Sequence, residues 1–320
     1  MKHLSIAAAD PISVYGAQGH DLRVSPRCSL VSVVLPTFNR ARMIEAAVRN
    51  VLAQDYPNLE LIVVNDGSTD ATAELLGRLE RELADPRLRV ITRENGRVAR
   101  ALNSGFEQAR GEYLTWTSDD NAYRPGAISA MVRELEHDPE AVLVFADWQL
   151  IGADGKPGEV KQTGPVEDLA WRNVVGVCFL YRRKAAQEAG AYDPSADLAE
   201  DFDYWVRMAR VGKLVRLPRV LYDCTAGPDR LSWRRAFEAG QAGARVVERQ
   251  GSKRALHDYL VSLACGYKWH GLALASFTTA IRLIARFPLS HEGYWAAARA
   301  MTPLALLRVK RKLRGLGGLT

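Results

Sequence analysis

The sequence predicts an α/β fold in which a mixed sheet is flanked by helices and followed by a helical C-terminal region. Two observations lead to this prediction. From about residue 30, short β-branched apolar runs alternate with amphipathic helical segments at short spacing. After about residue 230, apolar residues recur at helical spacing to the end of the chain. Strands and helices that alternate in this way favour parallel strands with helices on both faces of the sheet.

Four apolar runs are the predicted strands of the first half. They are LVSVVLP (30–36), LELIVVN (59–65), LRVIT (88–92) and EYLTWT (112–117). Asn39 is expected to cap the helix ARMIEAAVRNVLAQ that follows the first strand. Ligands bind at the carboxyl ends of strands in such sheets. The polar residues that follow strands one, two and four are therefore expected to converge on one crevice.

The second half is less regular, but its elements can still be predicted. They are a helix at about 126–137, the strand AVLVFADWQL (141–150), a hairpin turn at DGKPG (154–158), the strand GVCFLYRR (176–183), a helix from near Asp201 and strands around 213–224. We expect three regions: a flexible N-terminal extension (1–29), the main α/β domain (30–228) and a basic helical region (229–320).

Composition and motifs exclude several classes of protein. The chain is 48% hydrophobic and 25% charged, which is typical of a globular protein. Its four cysteines form no C-x-x-C pair, so a zinc site is not indicated and a reducing compartment is expected. No G-x-G-x-x-G, Walker A, H-E-x-x-H or G-x-S-x-G motif occurs, which argues against dinucleotide oxidoreductases, P-loop enzymes and the common hydrolases.

The chemistry that remains is acidic. Asp66 ends the second predicted strand, Asp119 and Asp120 end the fourth, and Glu200 and Asp201 begin a later helix. Adjacent carboxylates at a strand end suit Mn²⁺ or Mg²⁺, which bind through one or two carboxylates and substrate phosphates. An alternative stays open at this point, because Asp and Asn also collect in ordinary turns and at helix N-termini.

Four segments in order resemble a known family. VSVVLPTFNR, LELIVVNDGSTDAT, ENGRVARALNSGFEQARGEYLTWTSDD and AGAYDPSADLAEDFDYWVRMARVG are similar to the motifs of family 2 glycosyltransferases, which have the GT-A fold, a Rossmann-like nucleotide-diphospho-sugar transferase architecture. The resemblance runs from about residue 30 to 225. It implies an inverting transferase that moves a sugar from a nucleotide-sugar to an acceptor hydroxyl, with Mn²⁺ or Mg²⁺ as cofactor.

The resemblance also implies roles for individual residues. Pro36, Thr37 and Asn39 lie where the family cradles the nucleotide base, and Asp66 matches the acid that accepts a hydrogen bond from that base. Asp119 matches the metal ligand on the diphosphate, and Asp120 is expected to share this role. Asp201 matches the general base. Residues expected to contact the acceptor or support the site are Glu200, Trp205, at i+4 from Asp201, and Arg230.

Three positions of the first half depart from the family pattern, and two of them, Thr117 and Leu102, lie on the donor side. Thr117 stands where many relatives have a first Asp, which puts a ribose or indirect metal contact in doubt. Asn65 replaces a common Asp, and we expect little effect. Leu102 replaces an Arg before Asn103, and Arg97 or Arg100 is expected to compensate for the lost phosphate contact. A His that relatives often have after the later strands is not evident either, and Asp229 or Arg230 is expected to occupy that region. UDP is the family's commonest nucleotide, so a UDP-sugar is favoured.

The chain has a formal net charge of +6 and a pI of about 9.2. Part of this excess is a run near the end, Arg308, Lys310, Arg311, Lys312 and Arg314, on a segment with Leu306, Val309 and Leu313 at helical spacing. This pattern indicates a basic amphipathic helix on an anionic membrane, and a packing helix or a dimer contact is the alternative. No nucleic-acid reader motif occurs, so nucleic acid is not an expected partner.

The predicted function is thus sugar transfer to a glycan or glycolipid in cell-surface polysaccharide or lipopolysaccharide synthesis. The expected location is the cytoplasm, with peripheral attachment to the inner face of the plasma membrane. The alternative function is a non-catalytic nucleotide- or glycan-binding relative of the same fold. Intact Asp66, Asp119 and Asp201 argue against that alternative.

Overall fold

The computed structural model describes residues 28–225, 235–269 and 272–301. Four parallel strands form the first half of the sheet. They are β1 (Val31–Thr37), β2 (Leu59–Asn65), β3 (Leu88–Thr92) and β4 (Tyr113–Trp116). The predicted strands of this half are confirmed, and those at 59–65 and 88–92 have the predicted bounds.

The second half of the sheet is mixed. Its strands are β5 (Asn121–Tyr123), β6 (Ala141–Ile151), β7 (Pro157–Lys161), β8 (Phe179–Arg182) and β9 (Lys213–Thr225). The order is β3-β2-β1-β4-β8-β6-β9-β5, with β7 paired to β6. β8 is antiparallel to both β4 and β6, whereas β6 and β9 are parallel. The predicted turn at 154–158 joins the antiparallel strands β6 and β7, as expected.

Helices cover both faces of this sheet. They are α1 (Ile44–Leu52), α2 (Thr72–Leu83), α3 (Arg97–Gln108), α4 (Ala127–His137), α5 (Arg183–Ala189), α6 (Glu200–Val211), α7 (Ala236–Arg249), α8 (Lys253–Trp269), α9 (Ala273–Arg286) and α10 (His291–Met301). Alternate residues of β1 face opposite ways: Val34 joins a cluster with α3 and α6, and Val33 joins a cluster with α1 and α4. The core is therefore two apolar layers separated by the sheet.

The C-terminal helices are packed onto the α/β core. Ala242 and Val246 of α7 and Leu256 of α8 belong to the same buried cluster as Trp205 of α6. The helical character predicted after residue 230 is confirmed over the described residues. Among these residues, no helix combines the length and the apolar character that crossing a membrane requires. The predicted tail helix around Leu306, Val309 and Leu313 lies outside the described residues, as does the N-terminal extension up to residue 27.

The predicted cap of the first helix is wrong. α1 begins at Ile44 rather than directly after Asn39, and its N-cap position is Met43. Asn39 has φ 55°, in the left-handed region that Asn tolerates better than most residues. Its side chain caps a different segment, as described below. The cause is a turn over residues 38–43 that was read from the sequence as the start of the helix.

A glycine sets the distance between α3 and the sheet, which leads to the first prediction. A Cβ on Gly105 would lie 2.4 Å from Cγ1 of Val34 and 3.0 Å from Cγ2 of Val64. Both valines are fully buried, so Gly105→Ala is expected to destabilise the fold by about 1–3 kcal/mol through overpacking. Chemical denaturation of the purified variant measures this loss.

Gly77→Ala is the matched control for this substitution. Gly77 lies in α2, and the nearest atom to an added Cβ is the flexible Arg81 Nη1 at 3.6 Å. Alanine at that helical position is expected to stabilise the protein by about 0.5–1 kcal/mol. Equal effects of the two substitutions would contradict the packing argument.

Candidate active site

The loop after β1 is tied to the loop after β2 by hydrogen bonds. Oδ1 of Asn39 accepts from the backbone N–H of Thr69 at 2.8 Å and of Asp70 at 3.3 Å. The backbone N–H of Asn39 donates to Oγ of Ser68 at 3.0 Å. Pro36 and Thr37 form the end of β1, beside Val64 and Asn65 of β2. The segment 36–39 is therefore a rigid edge at the carboxyl ends of β1 and β2.

Asp66 is buried directly after β2 and holds the N-terminus of α3. Its carboxylate accepts hydrogen bonds from the backbone N–H of Gly96 at 3.0 Å and of Arg97 at 2.9 Å, and from Nη1 of Arg93 at 2.8 Å. An anion at a helix N-terminus is favoured by the helix dipole. Asp66 thus organises the loop between β3 and α3 at the carboxyl edge of the sheet.

Asp119 follows β4 and faces the end of β1. Its Oδ2 accepts from Oγ1 of Thr37 at 2.7 Å, and its Oδ1 lies 3.4 Å from Nε of Arg40. Burial raises the pKa of Asp119 to about 6, against the opposing effects of Thr37 and Arg40. A bound cation beside this buried carboxylate would favour its ionised form.

The donor set at Asp119 fits Mn²⁺ or Mg²⁺. Asp119 and its neighbour Asp120 offer hard oxygen ligands. Over the described ranges, 28–225, 235–269 and 272–301, no cluster of three or more His, Cys, Asp or Glu side chains offers a complete protein cage. A cation held by one or two carboxylates takes its remaining ligands from water and from substrate phosphates.

The departure at Thr117 has a structural explanation. Oγ1 of Thr117 lies 2.6 Å from the hydroxyl of Tyr222 on β9, and both side chains are buried. Tyr222 packs edge-on against Tyr123 in the same interior. An aspartate at this position would place a charge among these rings, so the threonine is matched to the interior rather than to a ligand.

Asp201 lies in the first turn of α6, and both of its oxygens have donors. Oδ2 accepts from Nδ2 of Asn173 at 2.8 Å, and Oδ1 accepts from the backbone N–H of Phe202 at 2.7 Å. Burial raises the pKa of Asp201, and these two hydrogen bonds oppose the shift. Burial also raises the pKa of Glu200, with repulsion from Asp201 adding to it. The adjacent carboxyls therefore favour one negative charge at a time.

Two contacts attach the segment before Asp201, which contains Tyr192 and Asp197, to the carboxyl edge of the sheet. Arg97, whose backbone N–H binds Asp66, extends Nη1 to Oδ2 of Asp197 at 2.6 Å, four residues before Asp201. Nε1 of Trp116, at the end of β4, donates to the hydroxyl of Tyr192 at 3.0 Å. The segment 192–201 is thus attached to the ends of both β2 and β4.

Of three further expectations, the structure contradicts the one for Trp205 and leaves those for Arg97 and Arg230 as predictions. Trp205 is completely buried at 0% exposure, with its ring centroid 4.4 Å from that of Phe179, so it is a core residue and the expected acceptor contact is wrong. Arg97 is paired with Asp197, and whether it replaces the Arg that relatives carry at Leu102 stays a prediction. Arg230 lies outside the described residues.

Two residues near these acids were not predicted from the sequence. Phe38 is 45% exposed on the edge segment after β1, where a flat apolar ring meets solvent beside Asn39. The sequence feature that could have indicated Phe38 is an aromatic residue in the turn that follows a strand. Asn173 contacts Asp201 across 28 positions of sequence. No local pattern marks such a contact.

The architecture and the acidic strand ends together define the class of protein. A parallel half of the sheet, joined to a mixed half with helices on both faces, is the GT-A glycosyltransferase fold. Residues 32–190 match the family described as Glycosyl transferase family 2. The chain belongs to this family.

Solved structures show the same fold at low sequence identity. The chain is similar to Staphylococcus aureus TarS 1–349 in complex with UDP, with a TM-score of 0.61 and 17% identity over 85% of this chain and 88% of that one. It is also similar to the mannosyltransferase PcManGT from Pyrobaculum calidifontis in complex with GDP-Man and Mn²⁺. The TM-score there is 0.55, with 20% identity over 89% of this chain and 80% of that one.

Curated relatives are similar over part of their length. An uncharacterized glycosyltransferase of Rickettsia felis is 30% identical over 58% of this chain and 32% of its own length. The chondroitin synthase of Pasteurella multocida is 26% identical over 62% of this chain and 20% of its own length. The chain thus spans about a third or less of these two relatives.

Proposed function

We propose that this protein is an inverting, metal-dependent glycosyltransferase that moves a sugar from a nucleotide-sugar, preferably a UDP-sugar, to an acceptor hydroxyl. The observation that carries the proposal is the carboxylate of Asp201. It is held by two donors on a segment attached to the ends of β2 and β4. Membership of the family supports sugar transfer as the reaction. A single ionised base accounts for inversion at the anomeric carbon.

The reaction follows from one base and one displacement. Asp201 accepts the proton of the acceptor hydroxyl while the hydroxyl oxygen attacks the anomeric carbon from the face opposite the diphosphate. The bond from that carbon to the diphosphate oxygen breaks, and the nucleoside diphosphate leaves with the electron pair. Asp119 and Asp120 would hold Mn²⁺ or Mg²⁺, which neutralises negative charge on the leaving diphosphate when bound.

The donor is proposed to lie along the edge formed by residues 36–39. Pro36, Thr37 and Asn39 line the nucleotide base. Asp66 either accepts a hydrogen bond from the base directly or fixes the position of the loop that accepts it. Since Asp66 already accepts three protein donors, its charge also serves to keep α3 in place. Arg40, beside Asp119, adds positive charge where the diphosphate would lie.

The exposed ring of Phe38 gives a testable consequence. An aromatic face in this position can stack on the nucleotide base, and such stacking contributes about 1–3 kcal/mol in other nucleic-base sites. Phe38→Ala is therefore expected to weaken UDP binding by roughly 5- to 100-fold, measured by calorimetry with Mn²⁺ present. Phe38→Tyr keeps the ring and is the control. Equal affinity of the Ala and Tyr variants would remove Phe38 from the base site.

A panel of nucleotide-sugars tests the proposed activity directly. With Mn²⁺ and candidate acceptors, release of nucleoside diphosphate is expected for one donor, with inversion at the anomeric carbon detected by NMR. Binding of nucleotide without turnover for any donor would favour the non-catalytic alternative. The acceptor class, a cell-surface polysaccharide or lipopolysaccharide intermediate, is proposed in line with the named polysaccharide synthase among the relatives.

Attachment to an anionic membrane is the last part of the proposal. Leu274, Leu289 and Trp295 are exposed by 77%, 97% and 54% on and between α9 and α10, the last described helices. The basic run from Arg308 to Arg314 begins seven residues after the end of α10. Apolar side chains beside basic ones suit the surface of an anionic bilayer. This placement brings a cytoplasmic enzyme to a lipid-linked acceptor.

Vesicle sedimentation tests the membrane contact. The full chain is expected to sediment with vesicles containing phosphatidylglycerol and not with phosphatidylcholine vesicles. Removal of residues 303–320 is expected to reduce this binding at least about 10-fold, because several basic residues at about 1 kcal/mol each are lost. Leu289→Ser in the full chain is also expected to weaken vesicle binding relative to the unsubstituted full chain. If the truncated chain bound as well as the full chain, the tail would have no membrane role.

A further inference from the structure

Asn173 lies between the 3-10 turn Val166–Ala170 and β8, far in sequence from α6. Its Nδ2 donates to Oδ2 of Asp201 at 2.8 Å. The other oxygen of Asp201 accepts from the N–H of Phe202 on its own helix. Asn173 is therefore the contact that ties the Asp201 carboxylate to a second part of the chain.

The amide of Asn173 is itself held in one orientation. Its Oδ1 accepts from the backbone N–H of Gly176 at 3.2 Å, and Gly176 has φ 71°. A Cβ at Gly176 would lie 2.9 Å from Nε1 of Trp148, so both the conformation and the space at this position require glycine. Because the amide oxygen faces a donor at Gly176, the NH₂ group must face Asp201.

We propose that Asn173 is a positioning residue for Asp201, which aims the carboxylate and stabilises its ionised form inside the protein. The proposal rests on the function proposed above, in which Asp201 is the base. A donated hydrogen bond to an ionised carboxylate is stronger than one to the neutral acid. Asn173 thus keeps Asp201 ready to accept a proton in surroundings that disfavour its charge.

The surroundings of Asp201 increase the need for such a donor. Glu200 lies beside it on α6, and Tyr192 faces it from the segment before that helix. Charge on Glu200 repels the charge on Asp201, whereas Tyr192 stays neutral because burial raises its pKa well above its usual range. Burial, the largest influence, raises the pKa of Asp201. The neutral amide of Asn173 opposes both effects.

The test uses the full chain and two substitutions at this position. Asn173→Asp keeps an oxygen for Gly176 and replaces the donor to Asp201 by a second acceptor, whereas Asn173→Ala removes both contacts. Thermal unfolding is measured at pH 5 and pH 8 in the wild-type and the Asp201→Asn backgrounds. Arg172→Ala, which removes the neighbouring exposed pair with Asp168, is the control for loop damage.

The loss of Tm caused by Asn173→Asp is expected to grow as the pH rises. Asn173→Asp places a second carboxyl against Asp201, and ionising both costs free energy that unfolding relieves, so the substitution lowers the Tm more at pH 8 than at pH 5, by about 3 to 6 °C. At pH 5 the two carboxyls share a proton and the loss is small. In the Asp201→Asn background the dependence on pH disappears, and Arg172→Ala shows none in either background.

A kinetic measurement completes the test once a donor is identified. Both Asn173 variants are expected to lower kcat about 10- to 100-fold with the donor KM nearly unchanged, and to move the acidic limb of the kcat/KM profile to higher pH. A Tm loss equal at the two pH values, or persisting with Asp201→Asn, would show that Asn173 only shapes the loop. Full transfer by Asp201→Asn alone would instead overturn the base assignment and leave the Tm result intact.

Discussion

Asp201→Asn is expected to lower the rate of sugar transfer by ~10²–10⁴-fold, because the amide cannot accept the proton of the acceptor hydroxyl. Binding of UDP with Mn²⁺ is expected to stay within about twofold of the wild-type affinity, since Asp201 acts in the chemical step and not in donor binding. Initial rates with the identified donor, together with calorimetry, measure the two effects separately.

The stability of this variant provides an internal check. Since the pKa of Asp201 is raised in the folded protein, its ionisation costs folding free energy as pH rises through that pKa. Asparagine carries no such cost but can accept from only one of the two donors, Asn173 and Phe202, so the Tm of the variant is expected to stay close to that of the wild type at pH 8. A loss of activity with an unchanged Tm cannot be attributed to unfolding.

Asp203→Asn is the matched control on the same helix. Asp203 lies one turn into α6 and pairs with Nε of Arg207 at 2.9 Å. Its replacement removes an acid of the same type close to Asp201, and is expected to leave transfer nearly unchanged. Transfer at the wild-type rate by Asp201→Asn, or equal losses in the two variants, would contradict the role of Asp201 as base.

Asp119→Asn is the second substitution with a large expected effect. It is expected to lower kcat/KM by roughly 10²–10³-fold and to abolish the Mn²⁺ dependence of UDP binding, because the carboxylate is the proposed metal ligand. Calorimetry of UDP with and without Mn²⁺ measures this directly. Asp154→Asn, in the exposed turn between β6 and β7, is the control for a lost surface charge.

Binding of Mn²⁺ with UDP is expected to weaken as the pH falls. The pKa of Asp119 is raised to about 6, so the carboxylate is protonated below that pH and ionised above it. Only the ionised form binds a cation. The Tm increase produced by Mn²⁺ and UDP together is therefore expected to be larger at pH 7.5 than at pH 5.5. An increase of the same size at both values would exclude Asp119 from the metal site.

Much of the first half of the fold could be predicted from local patterns. The buried runs 59–65 and 88–92 are strands with the predicted bounds, because continuous β-branched residues bounded by turns leave few alternatives. β5 was not predicted, since its three residues become a strand only by pairing with β9. β-structure that depends on a distant partner has little local signal.

The errors at the site have the same origin. Asn39 looked like a helix cap because a polar residue preceded an apolar period, but its left-handed φ is set by the loop after β2. Trp205 shares a helix face with Asp201, yet it lies one turn further along α6, where the sheet covers that face. Helical spacing indicates which residues share a face of the helix. It does not indicate where along that face the residues become buried.

The sequence by itself determined the family, the succession of strands along the first half of the chain and the acids that follow them, because these depend on residue type and short spacing. Only the tertiary structure decided which groups surround those acids. Thr37 meets Asp119 across 82 positions, and Asn173 meets Asp201 across 28. Such pairs follow from how the sheet and its loops pack. Packing brings together side chains that are far apart in the sequence, and no sequence periodicity marks them.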